Sequence, residues 1–258
     1  MPRFAVIIPA CNEAEALPQT LSKLQLLLDP QACVIAVGAN GCDDATCQIA
    51  RESGVIVGET AQRGYGYGCQ AAIEAANAIH ANIEAYIFFA ADGANDAFDI
   101  SKLIAAYQEG DSFVLGQRTR LLKNWRIMTA FHILANRILG FWCGVLTGRT
   151  FCDLGPFRLI SRPVFEALGQ CEWTYGWTIE SQILVVRLGF PTREIDVMEY
   201  PRIAGEQKVS HVNCRRTLKI GWQILAAGWR TRFRPLPLFA QPCPTPTHLH
   251  SKDFPNPV

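Results

Sequence analysis

The chain has 258 residues, 49% of them apolar and 18% charged, enough to fill one compact α/β core or two small ones. A formal net charge of +1 excludes a global field that would recruit nucleic acid, so any basic patch must be local. Ten cysteines in a chain of this length, with no Cys-x-x-Cys pair, read as reduced small hydrophobes in a cytosolic protein rather than as zinc ligands or a disulfide framework.

The first half alternates short apolar runs with helix-length segments. Residues 4–8 form a continuous apolar run of strand length. The stretch from Phe4 to Ala10 is too short for the apolar region of a leader peptide and runs straight into Asn12 and Glu13. Residues 13–28 carry Leu17, Leu21, Leu24 and Leu28 at helical spacing. Further strands are expected at 34–37, 55–57, 86–89 and 113–115, with helices at 43–52, 68–80 and 100–107. Strands buried on both faces and separated by helices imply an α/β fold with a mainly parallel central sheet flanked by helices. Ligands of such sheets bind beyond the carboxyl ends of the strands. The polar residues that fall there are Asn12 and Glu13, then Asn40, Asp43 and Asp44, then Asp92, Asn95 and Asp96.

The second half is less regular. Residues 125–146 are long and apolar but interrupted by Arg126, His132, Asn136, Arg137 and the Gly140/Gly144 pair. That pattern favours a packed or interface-lying helix over a membrane span. A strand at 157–160, a helix at 178–188, a strand at 192–197 and a helix at 215–232 follow. Repeated prolines from residue 234 onward read as an extended or disordered tail.

The chemistry concentrates in a few segments. Val6-Ile-Ile-Pro-Ala-Cys-Asn-Glu13 is a buried strand ending in proline and opening onto polar side chains, a geometry that can hold a planar base against backbone. Val37-Gly-Ala-Asn-Gly-Cys-Asp-Asp-Ala-Thr46 is a polar turn after the second strand. Arg63-Gly-Tyr-Gly-Tyr-Gly68 is a glycine-rich helix entry without dinucleotide-fingerprint spacing, and alone it reads as a flexible turn. Phe88-Phe-Ala-Ala-Asp-Gly-Ala-Asn-Asp96 brings Asp92 and Asp96 to the end of a strand, where either can also cap the following helix.

In this order and spacing the segments resemble family 2 glycosyltransferases, over about residues 3–232. Downstream, Val114-Leu-Gly-Gln-Arg118, Cys152-Asp-Leu-Gly-Pro-Phe-Arg158, Tyr175-Gly-Trp-Thr-Ile-Glu180 and Arg202-Ile-Ala-Gly-Glu-Gln-Lys-Val-Ser210 resemble a bacterial branch related to polyprenyl- and dolichyl-phosphate sugar transferases. The resemblance implies a single GT-A domain over residues 1–233, with a nucleotide-binding half to about 118 and an acceptor half after it. It implies inverting transfer of a hexose from a nucleoside diphosphate sugar. Pro9, Ala10, Asn12, Glu13 and Asn40 are then expected to hold the nucleoside, and Arg63, Arg202 and Lys208 the diphosphate. Asp92, with Asp96, is expected to hold Mg²⁺ or Mn²⁺ there.

Arg118 and Arg158, with Arg120, are candidates for an anionic acceptor such as polyprenyl phosphate, and Asp153 or Glu180 for the general base of a hydroxyl acceptor. The apolar 125–146 stretch is expected to touch the inner face of a membrane beside a lipid acceptor. Two positions depart from the family pattern: Ala39 and Ala90 stand where aspartates are usual. A nucleotide-sugar-binding domain without turnover therefore remains open. A nucleotidyltransferase is disfavoured, because Pro9-Ala-Cys-Asn-Glu13 stands where such enzymes carry a glycine-rich basic loop.

Overall fold

The computed structural model describes residues 2–204 and 214–236. Lys208 and most of the proline-rich tail lie outside the described residues, as do the side chains of Arg215 and Arg216.

Seven strands form one sheet: β1 (Phe4–Ala10), β2 (Cys33–Asn40), β3 (Ile56–Thr60), β4 (Ala85–Phe88), β5 (Phe113–Gln117), β6 (Arg158–Ser161) and β7 (Thr192–Asp196). Their order is β3-β2-β1-β4-β6-β5-β7. Only β6 runs antiparallel, to both β4 and β5. Its direction follows from the path of the chain. After β5 the chain stays at the carboxyl edge of the sheet, where Asp153 meets Arg118, and it re-enters from that edge through Phe157, whose carbonyl accepts the Gly116 N–H.

The helices are α1 (Leu17–Leu27), α2 (Thr46–Glu52), α3 (Tyr65–Ile79), α4 (Asp99–Gln108), α5 (Ala130–Thr147), α6 (Arg162–Leu168), α7 (Trp177–Arg187) and α8 (Cys214–Phe233). They cover both faces of the sheet, as its strands require. Alternate residues of β1 serve opposite cores: Ala5 and Ile7 join the one under α3 and α7, whereas Phe4, Val6, Ile8 and Ala10 join the one under α1 and α4. In β4, Tyr86 and Phe88 face the first core and Ala85 and Ile87 the second. This two-sided burial explains why β1 and β4 are apolar runs.

Some boundaries moved for local reasons. Helix α1 begins at Leu17 rather than Glu13 because Pro18 sits at its start and the Glu13 carbonyl closes the preceding turn onto the N–H groups of Ala16 and Leu17. Helix α2 begins at Thr46 because Asp44 Oδ1 accepts the Thr46 N–H at 3.0 Å. The short α6 is additional to the expected elements.

The Gly140/Gly144 pair has a packing origin. A Cβ at Gly140 would meet the Phe151 carbonyl at 1.9 Å, and one at Gly144 the Thr150 side chain at 2.4 Å. The chain leading to β6 thus crosses α5 on its glycine face. Seven cysteines, among them Cys33, Cys69 and Cys143, are free thiols as expected, but Cys171 is disulfide-bonded, which corrects the expectation of an all-thiol chain.

Candidate functional site

The carboxyl ends of β1, β2 and β4 open onto one cleft. Pro9 and Ala10 close β1 and pair in register with Gly38 and Ala39 of β2. Asn12 then takes a left-handed conformation (φ 54°), which asparagine tolerates, and its Oδ1 accepts the Asp43 N–H at 2.8 Å. The Glu13 N–H donates to Thr46 Oγ1 at 2.8 Å and the Ala14 N–H to Asp44 Oδ2 at 3.1 Å. The loops after β1 and β2 are therefore laced together before any ligand arrives.

Asn40 is buried and donates through Nδ2 to the Gly64 carbonyl at 3.1 Å, so its amide fixes the entry to α3. Arg63 donates from Nε to the Gly41 carbonyl at 3.0 Å and pairs with the exposed Asp43. The glycines of the helix entry have a steric role: a Cβ at Gly68 would lie 2.9 Å from that of Pro9, and one at Gly38 would lie 1.8 Å from the Gly68 carbonyl. Helix α3 can approach the strand ends this closely only without side chains there.

Across the cleft, Asp92 Oδ1 accepts the Ala94 N–H at 3.1 Å and Oδ2 accepts Arg202 Nη1 at 2.9 Å. The same guanidinium pairs through Nη2 with Glu13 and donates from Nε to the Ala204 carbonyl at 2.8 Å. Three residues expected in one site, Glu13, Asp92 and Arg202, are thus brought together from sequence positions as far as 189 apart.

Asp96 is engaged elsewhere. Its Oδ1 accepts the Phe98 N–H at 3.2 Å and lies 3.6 Å from Lys23 Nζ, and its Oδ2 accepts the Tyr200 hydroxyl at 3.2 Å. It caps the approach to α4. Among the described residues no group of three or more His, Cys, Asp or Glu side chains could hold a metal ion. Asp92 still fits a divalent cation as one hard-oxygen ligand, with diphosphate oxygens and water completing the shell.

A second charged cluster lies beyond β5. Arg118 grips Asp153 through Nε to Oδ2 at 2.8 Å and Nη2 to Oδ1 at 2.9 Å, and its Nη1 donates to Glu199 Oε1 at 3.0 Å. Asp153 is wholly buried. Burial pushes its carboxyl up, but the charge and hydrogen bonds of Arg118 more than reverse this and hold it below the usual carboxylate range. A carboxylate so saturated orients Arg118 rather than offering a free basic oxygen.

Glu199, at the end of the β7 segment, was not among the expected residues. Its N–H is held by Asn124 Oδ1 at 3.0 Å, and its Oε2 is buried with no hydrogen-bond partner among the described residues. Burial, followed by the opposed pull of Arg118 and the repulsion of Asp153 and Asp92, leaves its carboxyl above the usual range. The available sequence signal was its place beyond a strand that pairs parallel with β5.

Two expected residues are not brought to the cleft. Glu180 is fully buried, accepts the N–H groups of Cys171 at 3.0 Å and Glu172 at 2.8 Å, and pairs with Arg234 at 2.7 Å. It ties the loop between α6 and α7 to the end of α8, and burial pushes its carboxyl up. Arg158 is equally buried, donating to the Thr178 carbonyl at 3.2 Å and Ser181 Oγ at 2.6 Å, with its guanidinium 5.6 Å from the Phe113 ring centroid. Burial pulls its pKa down to about 10, so it remains charged at neutral pH and works inside the core.

Beside Arg118, an open hollow of about 370 Å³ is lined by Arg120, Arg137, Phe141, Phe151 and Cys152. It borders a stripe of exposed apolar side chains on α5: Phe131, Leu134, Ile138, Phe141 and Val145. By length and composition α5 could cross a bilayer, yet Ile133, Gly140, Cys143 and Leu146 pack one face of it into the protein.

Comparison with known proteins shows the family and the fold. The model of the family "Glycosyl transferase family 2" matches residues 5–169. An uncharacterized glycosyltransferase of Mycobacterium tuberculosis is 27% identical over 220 residues, covering 80% of this chain and 88% of the relative. A dolichyl-phosphate hexose transferase of Haloferax volcanii is 26% identical over 216 residues, covering 80% of this chain and 86% of the relative. Among solved structures, glucosyl-3-phosphoglycerate synthase from Mycobacterium tuberculosis in complex with Mn²⁺, UDP and phosphoglyceric acid superposes with a TM-score of 0.66 at 17% identity, over 91% of this chain and 80% of that one. At that identity the likeness is one of fold, and the fold is GT-A.

Proposed function

The chain belongs to glycosyl transferase family 2, and from that premise we propose that it moves a hexose, with inversion, from a nucleoside diphosphate sugar to a polyprenyl phosphate at a membrane surface. The observation that carries the acceptor is the hollow holding Arg120 and Arg137 beside the exposed apolar stripe of α5. A lipid phosphate has a second pKa near 6, so it arrives ionised and needs positioning by guanidinium groups more than deprotonation. The dolichyl-phosphate hexose transferase among the relatives supports the same class of acceptor.

On the donor side, Pro9, Ala10, Asn12 and Glu13 hold the nucleoside at the end of β1, and Arg63 stands at the mouth. Asp92 holds Mg²⁺ or Mn²⁺, which supplies countercharge to the departing diphosphate. The structural neighbour was crystallised with UDP, which makes uridine the first base to try. Arg202 and Arg118 keep positive charge on either side of the transfer path, and Asp153 holds Arg118 in orientation.

A nucleotide-sugar-binding domain without turnover is the competing reading, and Ala39 and Ala90 are what favour it. The test incubates the protein with labelled UDP-, GDP- and dTDP-hexoses, Mn²⁺ or Mg²⁺, and undecaprenyl phosphate in detergent. Label should move from at least one donor into the organic phase. Donor binding without any labelled lipid would overturn the acceptor assignment.

A further inference from the structure

The position of Arg202 has a consequence for how a metal reaches this cleft. Its guanidinium contacts Asp92 Oδ2 at 2.9 Å and also pairs with Glu13, while the Arg202, Glu13 and Asp92 side chains are only 19%, 10% and 22% exposed. One cation therefore neutralises the carboxylate assigned to the metal and the carboxylate assigned to the nucleoside.

The segment bearing Arg202 is fastened to the same turn. The Ile203 N–H donates to the Asp92 carbonyl at 3.0 Å and the Tyr200 N–H to the Ala94 carbonyl at 2.8 Å. The Ile203 side chain lies over Gly93, where an added Cβ would sit 2.2 Å from Ile203 Cδ1. Backbone contacts thus hold this segment in place, whereas the contact of Arg202 with Asp92 is made by a long side chain that can rotate away without disturbing them.

Ala90 supplies no carboxylate that would let a metal bind while Arg202 stays. A guanidinium and a divalent ion carry charge of the same sign, and they compete for one oxygen. Electrostatics alone then disfavours binding of the bare ion to Asp92. A diphosphate changes the balance, because it brings the ion oxygen ligands and gives the guanidinium a new anionic partner.

We propose that Arg202 is an exchangeable counter-ion of Asp92, which makes divalent-cation binding conditional on the donor diphosphate. The proposal rests on the reading of this cleft as the donor site and adds an order to it. Metal and nucleotide bind together, and each strengthens the other by the same factor.

The test measures Mn²⁺ affinity, by titration calorimetry and by the electron paramagnetic resonance signal of free Mn²⁺, with and without UDP. The proteins are wild type, Arg202→Gln, Arg202→Lys and the double variant Arg202→Gln/Asp92→Asn. Without UDP, Arg202→Gln should bind Mn²⁺ about tenfold more tightly than wild type, a factor within the usual range of coupling between linked sites. The double variant should lose that gain. UDP should tighten Mn²⁺ binding more in wild type than in Arg202→Gln.

Equal or weaker Mn²⁺ binding by Arg202→Gln alone would overturn the exchange. Circular dichroism checks folding of each variant. If Arg202→Gln does not fold, Arg202→Lys decides: it keeps the charge but not the two-pronged contact, so Mn²⁺ binding should still exceed wild type, and no gain overturns the proposal. Failure of UDP to bind any of the proteins would remove the donor reading, while the comparison of Mn²⁺ alone would still decide the exchange.

Discussion

Asp92 and Glu199 are both carboxylates near the cleft, but their surroundings set them different tasks. Asp92 touches a cation on one oxygen and a backbone N–H on the other. If it carries the metal, Asp92→Asn should lower turnover at least about a hundredfold, near 2.7 kcal/mol in barrier. EDTA should act on wild type in the same direction. Wild-type turnover unaffected by EDTA would reduce Asp92 to a turn-forming residue.

Glu199 predicts a pH effect. Its folded carboxyl titrates above the value of about 4.3 expected in the unfolded chain. The native state therefore binds this proton more readily. The stability it contributes is complete below the unfolded pKa and is lost as pH rises through the folded one. Glu199→Gln removes that loss. The stability of the variant relative to wild type should rise between pH 4.5 and pH 7.5, read by urea unfolding at both; a flat difference contradicts the assigned cause. The groups facing Glu199 are Arg118, Asp153 and Asp92, and Arg118 keeps its bidentate partner Asp153 in the variant.

At the scale of elements, the inner strands β1 and β4 were legible because each is an apolar run buried on both faces. The antiparallel direction of β6 was not legible, since it depends on where the chain re-enters the sheet. The start of α1 was displaced by Pro18, and α6 is too short, with Pro163 near its start, to leave a periodic signature. In the site, Glu13, Asp92 and Arg202 stood out because they lie in segments with recognisable patterns. Arg118 and Asp153 stood out for the same reason, but their pairing with each other and with Glu199 did not, because Asp153 and Glu199 lie 35 and 81 residues from Arg118 and nothing local couples them. Glu180 and Arg158 show the opposite error: a charged residue inside a distinctive motif can serve the core instead of the cleft.

Helix α5 carries the element-scale prediction. Its exposed residues Phe131, Leu134 and Ile138 lie at helical spacing, and the turn that precedes the helix in the chain carries Lys123 and Arg126, a combination suited to an anionic bilayer surface. Replacing these three by glutamate should reduce sedimentation with anionic vesicles while leaving the fold intact by circular dichroism. Equal partitioning of both proteins would argue for a water-soluble acceptor.

For the whole molecule, one sheet with a core on each face leaves its carboxyl edge as the place where distant segments converge. The loops after β1 and β4 meet the segment after β7 there through Glu13, Asp92 and Arg202, and Arg118 after β5 meets Asp153 and Glu199 beside them. The overall charge of +1 does not draw anionic ligands to this edge, so attraction depends on the few arginines that line it. On this reading Glu13 and Asp92 belong to one nucleotide-sugar site. Calorimetric titration of UDP-, GDP- and dTDP-hexoses, with and without Mn²⁺, into wild type, Glu13→Ala and Asp92→Ala tests it directly. At least one donor should bind wild type in the presence of Mn²⁺, and both folded variants should bind it at least about tenfold more weakly, a loss near 1.4 kcal/mol. Unchanged affinity in both variants would contradict the assignment.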